Sequence, residues 1–267
     1  MASDSSERAA REFSRLSAIL GELRQRCPWD REQTLAGLGR HLLEEAYETL
    51  DAVERDDAAA IVDELGDVIA QALAIGVIGE EAGRFSVADV MRSAADKLVR
   101  RHPHVYAGED VQTAAEVVEN WERIKRDERQ RAGAKSALDG VAKALPAAAR
   151  AEKLGTRARQ AGMDWRDIHA VLAKVREEMD EVEGALAADD LDSAAAEIGD
   201  MMLALANAPR FIGYRAEETL RRACDKFVAR FVRVEAIAAA RGRELRDLSP
   251  AELDALWNEA KRTADRE

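Results

Sequence analysis

Aromatic side chains are scarce, only 4 % of the 267 residues, and β-branched residues are few beside Ala, Leu, Glu and Arg. Such a composition supplies little for a pleated core and much for helices, so an all-β fold is excluded. Cysteine is nearly absent. Cys27 and Cys224 fit no metal-ligand spacing and cannot frame a disulfide-stapled domain, which points to a reducing cytoplasm. Glycine-rich phosphate loops are missing too: there is no Walker loop, and Gly37-Leu38-Gly39 lacks the third glycine of a dinucleotide fingerprint. The polar start, Met1 to Arg8, has no apolar signal core. The longest apolar run, Val68 to Gly79 broken only by Gln71, is too short to span a bilayer and predicts a helix buried on all sides. Positive charge is in deficit, 40 Lys and Arg against 52 Asp and Glu, a net charge of −12. That balance disfavours duplex nucleic acid as a partner and suits a protein that collects cations.

What is present is helix upon helix. Periodicity predicts helices over 6–26, 34–55, 57–82, 87–101 and 113–131, then over 146–161, 167–188, 190–211, 215–241 and 250–265. Ser86 is a candidate cap. Thr113 with Glu116, and Ser249-Pro250-Ala251-Glu252, have the spacing of capping boxes. The two halves are also related. Glu44-Glu45-Ala46-Tyr47-Glu48 answers to Glu177-Glu178-Met179-Asp180-Glu181, and Glu64-Leu65-Gly66-Asp67 to Glu197-Ile198-Gly199-Asp200, both 133 positions apart. The block from Asp96 to Arg101 matches Asp225 to Arg230 at an offset of 129, and that from Trp121 to Arg126 matches Trp257 to Arg262 at 136. Four blocks in one order indicate a duplicated all-α helical-bundle domain, residues 1–132 and 146–267, joined by a linker at 133–145.

The repeated acids carry the chemistry. Residues three apart share a helix face, so Glu45 converges with Glu48 and Glu64 with Asp67. Helices packed antiparallel through a short turn near Asp56-Asp57 would aim all four carboxylates into one space. Glu178, Glu181, Glu197 and Asp200 repeat the arrangement. Carboxylates so close repel unless they are protonated or share a cation. An all-oxygen donor set without His or Cys selects Mg²⁺, with Mn²⁺ as the alternative, over zinc. The same acids could instead line solvated helix faces, the ordinary fate of charged residues. The apolar runs that follow Asp67 and Asp200 favour the metal reading, and Gly66 and Gly199 suggest close packing beside the acids.

E-E-x-x-E followed by E-x-x-D resembles the metal signature of the MazG family of all-α nucleoside triphosphate pyrophosphohydrolases. Cys27 to Thr34, Lys97 to Val105 and Ser136 to Val141 resemble further blocks of its two-domain bacterial members. The resemblance implies Mg²⁺-dependent cleavage between the α- and β-phosphates of nucleoside triphosphates, with broad or house-cleaning specificity, and it implies a homodimer. It places Lys226, Arg230 and Lys261 at the phosphates and Trp257 near the base, with Lys97, Arg101, Trp121 and Lys125 as their first-half equivalents. It also implies that Glu178, Glu181, Glu197 and Asp200 carry catalysis, mainly in the second copy. Glu177 is then a candidate base for the attacking water. A helical regulatory module retaining a dead metal site is the competing reading. A di-iron bundle is excluded, because no His has a Glu three residues before it.

Overall fold

A computed structural model describes residues 2–264, and among them it contains helices and turns but no strand. The chain forms two compact units, Met1–Ile124 and Lys125–Glu267. The first unit begins with α1 (Ala2–Arg26) and the short α2 (Pro28–Glu32), followed by α3 (Leu35–Glu54) and α4 (Ala58–Glu81). α5 (Val87–Arg101), the single turn α6 (Pro103–Tyr106) and α7 (Ala114–Arg131) follow, α7 running across the division between the units. In the second unit α8 (Ala147–Gln160) precedes α9 (Ile168–Ala187) and α10 (Leu191–Leu205). A 3-10 turn (Pro209–Ile212), α11 (Ala216–Ala240), a second 3-10 turn (Leu245–Asp247) and α12 (Pro250–Ala264) complete it.

Local chemistry sets most helix starts. The Ser86 hydroxyl accepts the Asp89 N–H and the Asp89 carboxylate accepts the Ser86 N–H, a closed capping box for α5. Ser249 and Glu252 do the same for α12. At α7 the Thr113 hydroxyl accepts from Glu116 N, but the Glu116 carboxylate takes the N–H of Gln112. Two short helices that periodicity did not anticipate, α2 and α6, each open on a proline at the first helical turn.

The duplication is visible in the backbone. α9 is displaced from α3 by the same 133 positions at both ends, and α10 starts 133 after α4. α11 starts 129 after α5, and α12 starts 136 after α7. The copies diverge at the end of α10. A helix over 190–211 was expected, yet α10 stops at Leu205: Pro209 has no N–H to give the Leu205 carbonyl, and in a continued helix its ring would collide with that carbonyl.

In the first unit α3 packs on α4, which also receives α1 and α5. The close contacts lie in the second half of α4: a Cβ on Gly79 would stand 2.3 Å from the Phe85 ring, and one on Gly76 2.7 Å from Val87. Gly66 and Gly199 do not pack closely as expected, since an added Cβ meets nothing within 4 Å at either. Nor is the Val68–Gly79 run buried on all sides. Leu73, Gly76, Ile78 and Gly79 are buried, whereas Ile69 is exposed, because α1, α3 and α5 cover only part of the helix circumference.

In the second unit α9 packs on α10, α8 on α11, and α11 on α12. Val234, Ala238, Leu256 and Ala260 form the α11–α12 core, with Trp257 packed against it. Glu152 of α8 is buried and caps α11, accepting the Ala216 N–H at 2.6 Å and pairing with Arg215. On α10 only Ala194 and Ala204 are buried, while Met202, Leu203 and Leu205 are exposed.

Candidate metal and nucleotide site

Each acidic quartet is built by one helical hairpin. α3 presents Glu45 and Glu48, and α4 presents Glu64 and Asp67. Between them Asp56 takes a left-handed backbone (φ 54°), and Asp57 caps α4 by accepting the N–H groups of Ala59 and Ala60. Asp189 (φ 56°) and Asp190, which accepts the Ser193 N–H, repeat this turn 133 residues on. Aspartate tolerates the left-handed conformation better than most side chains and caps well, so the paired Asp-Asp fixes the reversal. The reversal in turn sets which faces of the two helices meet.

In the first hairpin, carboxylate oxygens of Glu45, Glu48 and Glu64 lie within 4.8 Å of one another. Asp67 joins them through its charge: burial first, then Asp67, Glu48 and Glu64 push the Glu45 carboxyl above its ordinary value. Glu64 is raised as well, by burial and then by Glu48. In the second hairpin the oxygens within 4.8 Å are those of Glu178, Glu197 and Asp200. Burial and then the charge of Glu181 raise the Glu197 carboxyl. Raised carboxyl groups in a cluster record repulsion that a cation would relieve.

One side chain here has no role in the sequence reading. Lys174, one helical turn before Glu178, places its Nζ 2.6 Å from Glu178 and 2.7 Å from Glu177. Its hydrogen bond holds the buried Glu178 below the ordinary glutamate value, and the two acids raise Lys174 in return. The i,i+4 spacing of Lys174 and Glu178 was the available signal. Glu177, the candidate base, is exposed and shares this lysine.

The basic and aromatic candidates lie on other helices. Lys226 and Arg230 are on α11, and Trp257 and Lys261 on α12, where the Phe227 and Trp257 rings meet at 5.3 Å. Among the described contacts α11 packs on α8, α12 and the 209–212 turn, whereas α9 packs on α10. The second-copy acids and the basic candidates therefore stand on separate helix pairs. In the first unit Lys97 and Arg101 are on α5, and Trp121 is on α7, its ring edge-on to His102 at 4.7 Å. The Nδ1 of His102 lies 2.6 Å from the Leu98 carbonyl, closing the end of α5. Lys125 opens the second unit.

Comparison with known proteins agrees with this repeated arrangement. Residues 33–106, which hold the whole first quartet together with Lys97 and Arg101, match the MazG nucleotide pyrophosphohydrolase domain. The chain is 40 % identical over 256 residues to the nucleoside triphosphate pyrophosphohydrolase of Escherichia coli K12, covering 94 % of this chain and 97 % of that protein. The chain belongs to the MazG family. A second relative, the nucleoside triphosphate pyrophosphohydrolase/pyrophosphatase MazG of Thermotoga maritima, is 34 % identical over 251 residues, 93 % of this chain and 95 % of the relative. As a MazG-family chain it aligns with these relatives across both copies rather than one. Among the described residues, no helix is long and apolar enough to cross a membrane.

Proposed function

We propose that this chain is a nucleoside triphosphate pyrophosphohydrolase, cleaving between the α- and β-phosphates of a broad set of nucleoside triphosphates to give the monophosphate and pyrophosphate. The observation that carries the reading is the convergence of carboxylates from both helices of each hairpin, with burial and then mutual repulsion raising Glu45, Glu64 and Glu197. Their hard, all-oxygen donor set fits Mg²⁺ or Mn²⁺. Glu178, Glu181, Glu197 and Asp200 would hold the cation in the second copy, and Glu45, Glu48, Glu64 and Asp67 in the first. A bound Mg²⁺ supplies Lewis acidity toward phosphate oxygens and acidifies the attacking water. Lys174 keeps Glu178 ionised and ready to ligate. Glu177, outside the cluster and exposed, takes the proton of the water as it attacks the α-phosphorus. Lys226, Arg230 and Lys261 bind the triphosphate and Trp257 stacks on the base.

Exposed apolar side chains on α10 (Met202, Leu203, Leu205) and α11 (Phe227, Val228, Phe231, Val232) support a homodimer as the working form. The deciding experiment measures pyrophosphate release from a panel of nucleoside triphosphates, with Mg²⁺, with Mn²⁺ and with EDTA. Release in a 1:1 ratio with monophosphate and loss of turnover in EDTA are expected. Orthophosphate as the product, or full activity in EDTA, overturns the proposal. Light scattering should return twice the chain mass.

A further inference from the structure

The second unit contains a recess of about 240 Å³ whose lining includes no residue of its acidic hairpin. Its walls are the end of α7, the Ala134–Ala137 turn and the last turn of α8, and its lining includes Arg126, Arg129, Lys135 and Arg157. None of the lining residues is acidic. In a chain of net charge −12, Arg126, Lys135 and Arg157 around one hollow with no carboxylate in its lining call for an anion.

Arg157 makes the argument specific. Its side chain belongs to a residue only 6 % exposed, and its Nε and Nη1 are buried without a hydrogen-bond partner among the described residues. A guanidinium stays charged at any physiological pH, and a buried charged donor left unmet is costly. Asp139, four residues after Lys135, is turned to the backbone. It accepts the N–H groups of Lys135 and Ser136 at 2.7 and 2.9 Å, and these bonds hold it below the ordinary aspartate value. Asp139 thus shapes the turn that carries Lys135, one of the residues lining the recess. The volume falls below the roughly 300–1,000 Å³ of sites that enclose drug-sized molecules. A small oxyanion fits within it.

We propose that this recess is a binding site for a phosphate-type oxyanion, inorganic phosphate or pyrophosphate, with the planar fork of Arg157 as the buried donor and Lys135 and Arg126 closing over the charge. Pyrophosphate is also the product of the reaction proposed above. The site is nevertheless tested without metal or nucleotide, so it stands or falls separately from that reaction.

The full-length chain is titrated calorimetrically in EDTA, at constant ionic strength, with inorganic phosphate and with pyrophosphate. The expected result is saturable binding of one anion per chain and a rise in melting temperature with anion concentration. Tighter binding of pyrophosphate identifies a two-phosphate occupant, and equal or tighter binding of orthophosphate a single one. Arg157→Met should weaken binding by about tenfold or more, as expected for loss of a charge-assisted fork. Lys135→Gln, on an exposed side chain that folding does not need, should weaken it by about threefold. Lys143→Gln removes the same charge from an exposed position outside the lining and should leave the affinity unchanged. No saturable binding up to roughly 10 mM, the weak end of specific affinity, overturns the proposal. So does an affinity that falls as much in Lys143→Gln as in Lys135→Gln. Should Arg157→Met fail to fold, Lys135→Gln and Arg126→Gln decide the matter by the same criterion.

Discussion

The two acidic hairpins match position for position at the 133-residue offset, down to the left-handed aspartates Asp56 and Asp189, yet their electrostatics differ. The difference traces to one residue. Lys174 stands where the first copy has His41, and it pairs at 2.6 Å with Glu178, the counterpart of Glu45. His41 instead sits 3.7 Å from Glu44. Glu45 is accordingly pushed up by burial and its acidic neighbours, while Glu178, although more deeply buried, is pulled down by its lysine. The backbone of a duplicated hairpin thus guarantees that the acids converge. A single helical turn upstream decides whether the cluster meets a cation already partly compensated or fully repulsive. On the proposed reading the second copy is the better prepared, since its most buried carboxylate is already paired with Lys174 and held below its ordinary value.

The comparison is broken most decisively at the acids themselves. Glu197→Gln should reduce pyrophosphate release by roughly 100-fold or more, because losing one carboxylate from the proposed cation site removes charge where the reaction needs it. Glu64→Gln, its counterpart, should leave a substantial share of the rate. Both amides keep the side-chain shape, so steady-state rates of the two variants, with melting curves to confirm folding, compare the copies directly. A dead Glu64→Gln beside a near-parental Glu197→Gln would reverse the ranking of the two halves.

Lys174 offers the next largest effect. Lys174→Met leaves the buried Glu178 carboxylate without its cation, so metal-free protein should melt several degrees lower and Glu178 should titrate at higher pH. His41→Met removes a long, half-exposed contact with Glu44 and a tilted ring contact with Trp29 at 6.3 Å, and should shift melting by about a degree or less. Equal shifts in scanning calorimetry would mean that the lysine is not what distinguishes the copies.

How far these features could be read in advance depended on how local their causes are. The ten long helices, the capping residues Ser86, Ser249 and Glu252, and the duplication follow from short-range chemistry, which a sequence displays. The convergence of Glu45, Glu48 and Glu64 was legible because i,i+3 spacing and a two-aspartate turn leave a hairpin few arrangements. The end of α10 was legible too, since Pro209 forbids the 205–209 bond, but apolar periodicity through Leu205 and beyond concealed it. Exposure was not legible. The apolar faces of α4 and α10 look interior by composition, and only the packing shows that one chain covers part of each. The relation of α11 and α12 to the acids likewise lies in long-range packing, where residue spacing says nothing.

A pH series sharpens the comparison further. Glu45, Glu64 and Glu197 are raised, so the folded state takes up protons before the unfolded chain does. The stability they contribute is present below the ordinary value of 4.5 and is lost as pH rises through the raised values. Glu178 and the capping Asp190 are lowered, and their contribution runs the other way, fading as pH falls through their folded values. Metal-free Glu64→Gln should therefore melt higher than the parent near pH 7 and converge with it toward pH 4. Removing Glu178 should instead cost stability at neutral pH. Saturating Mg²⁺ should erase the Glu64→Gln advantage, because the cation then relieves the same repulsion. An advantage independent of pH would show that repulsion was not its source.

The smallest effect separates the two halves of α4. Gly79 has the Phe85 ring against it and Gly76 has Val87, so an alanine at either must displace a packed neighbour. Gly66, between two and three turns past the α4 cap and between Glu64 and Asp67, has open space where its Cβ would be. In a helix interior alanine is better than glycine by roughly 0.5–1 kcal/mol, mostly because the unfolded glycine has more freedom to lose. Gly66→Ala should thus raise the melting temperature of metal-free protein slightly, and Gly199→Ala should do the same in the second copy. Gly79→Ala should lower it by more than that gain, since overpacking a fixed ring commonly costs about 1–3 kcal/mol. Measuring all three in EDTA keeps the cation out of the comparison. If Gly66→Ala and Gly199→Ala destabilise instead, both glycines meet a surface that a single chain does not supply. Their faces, beside the exposed apolar residues of α4 and α10, would then belong to contacts between two copies.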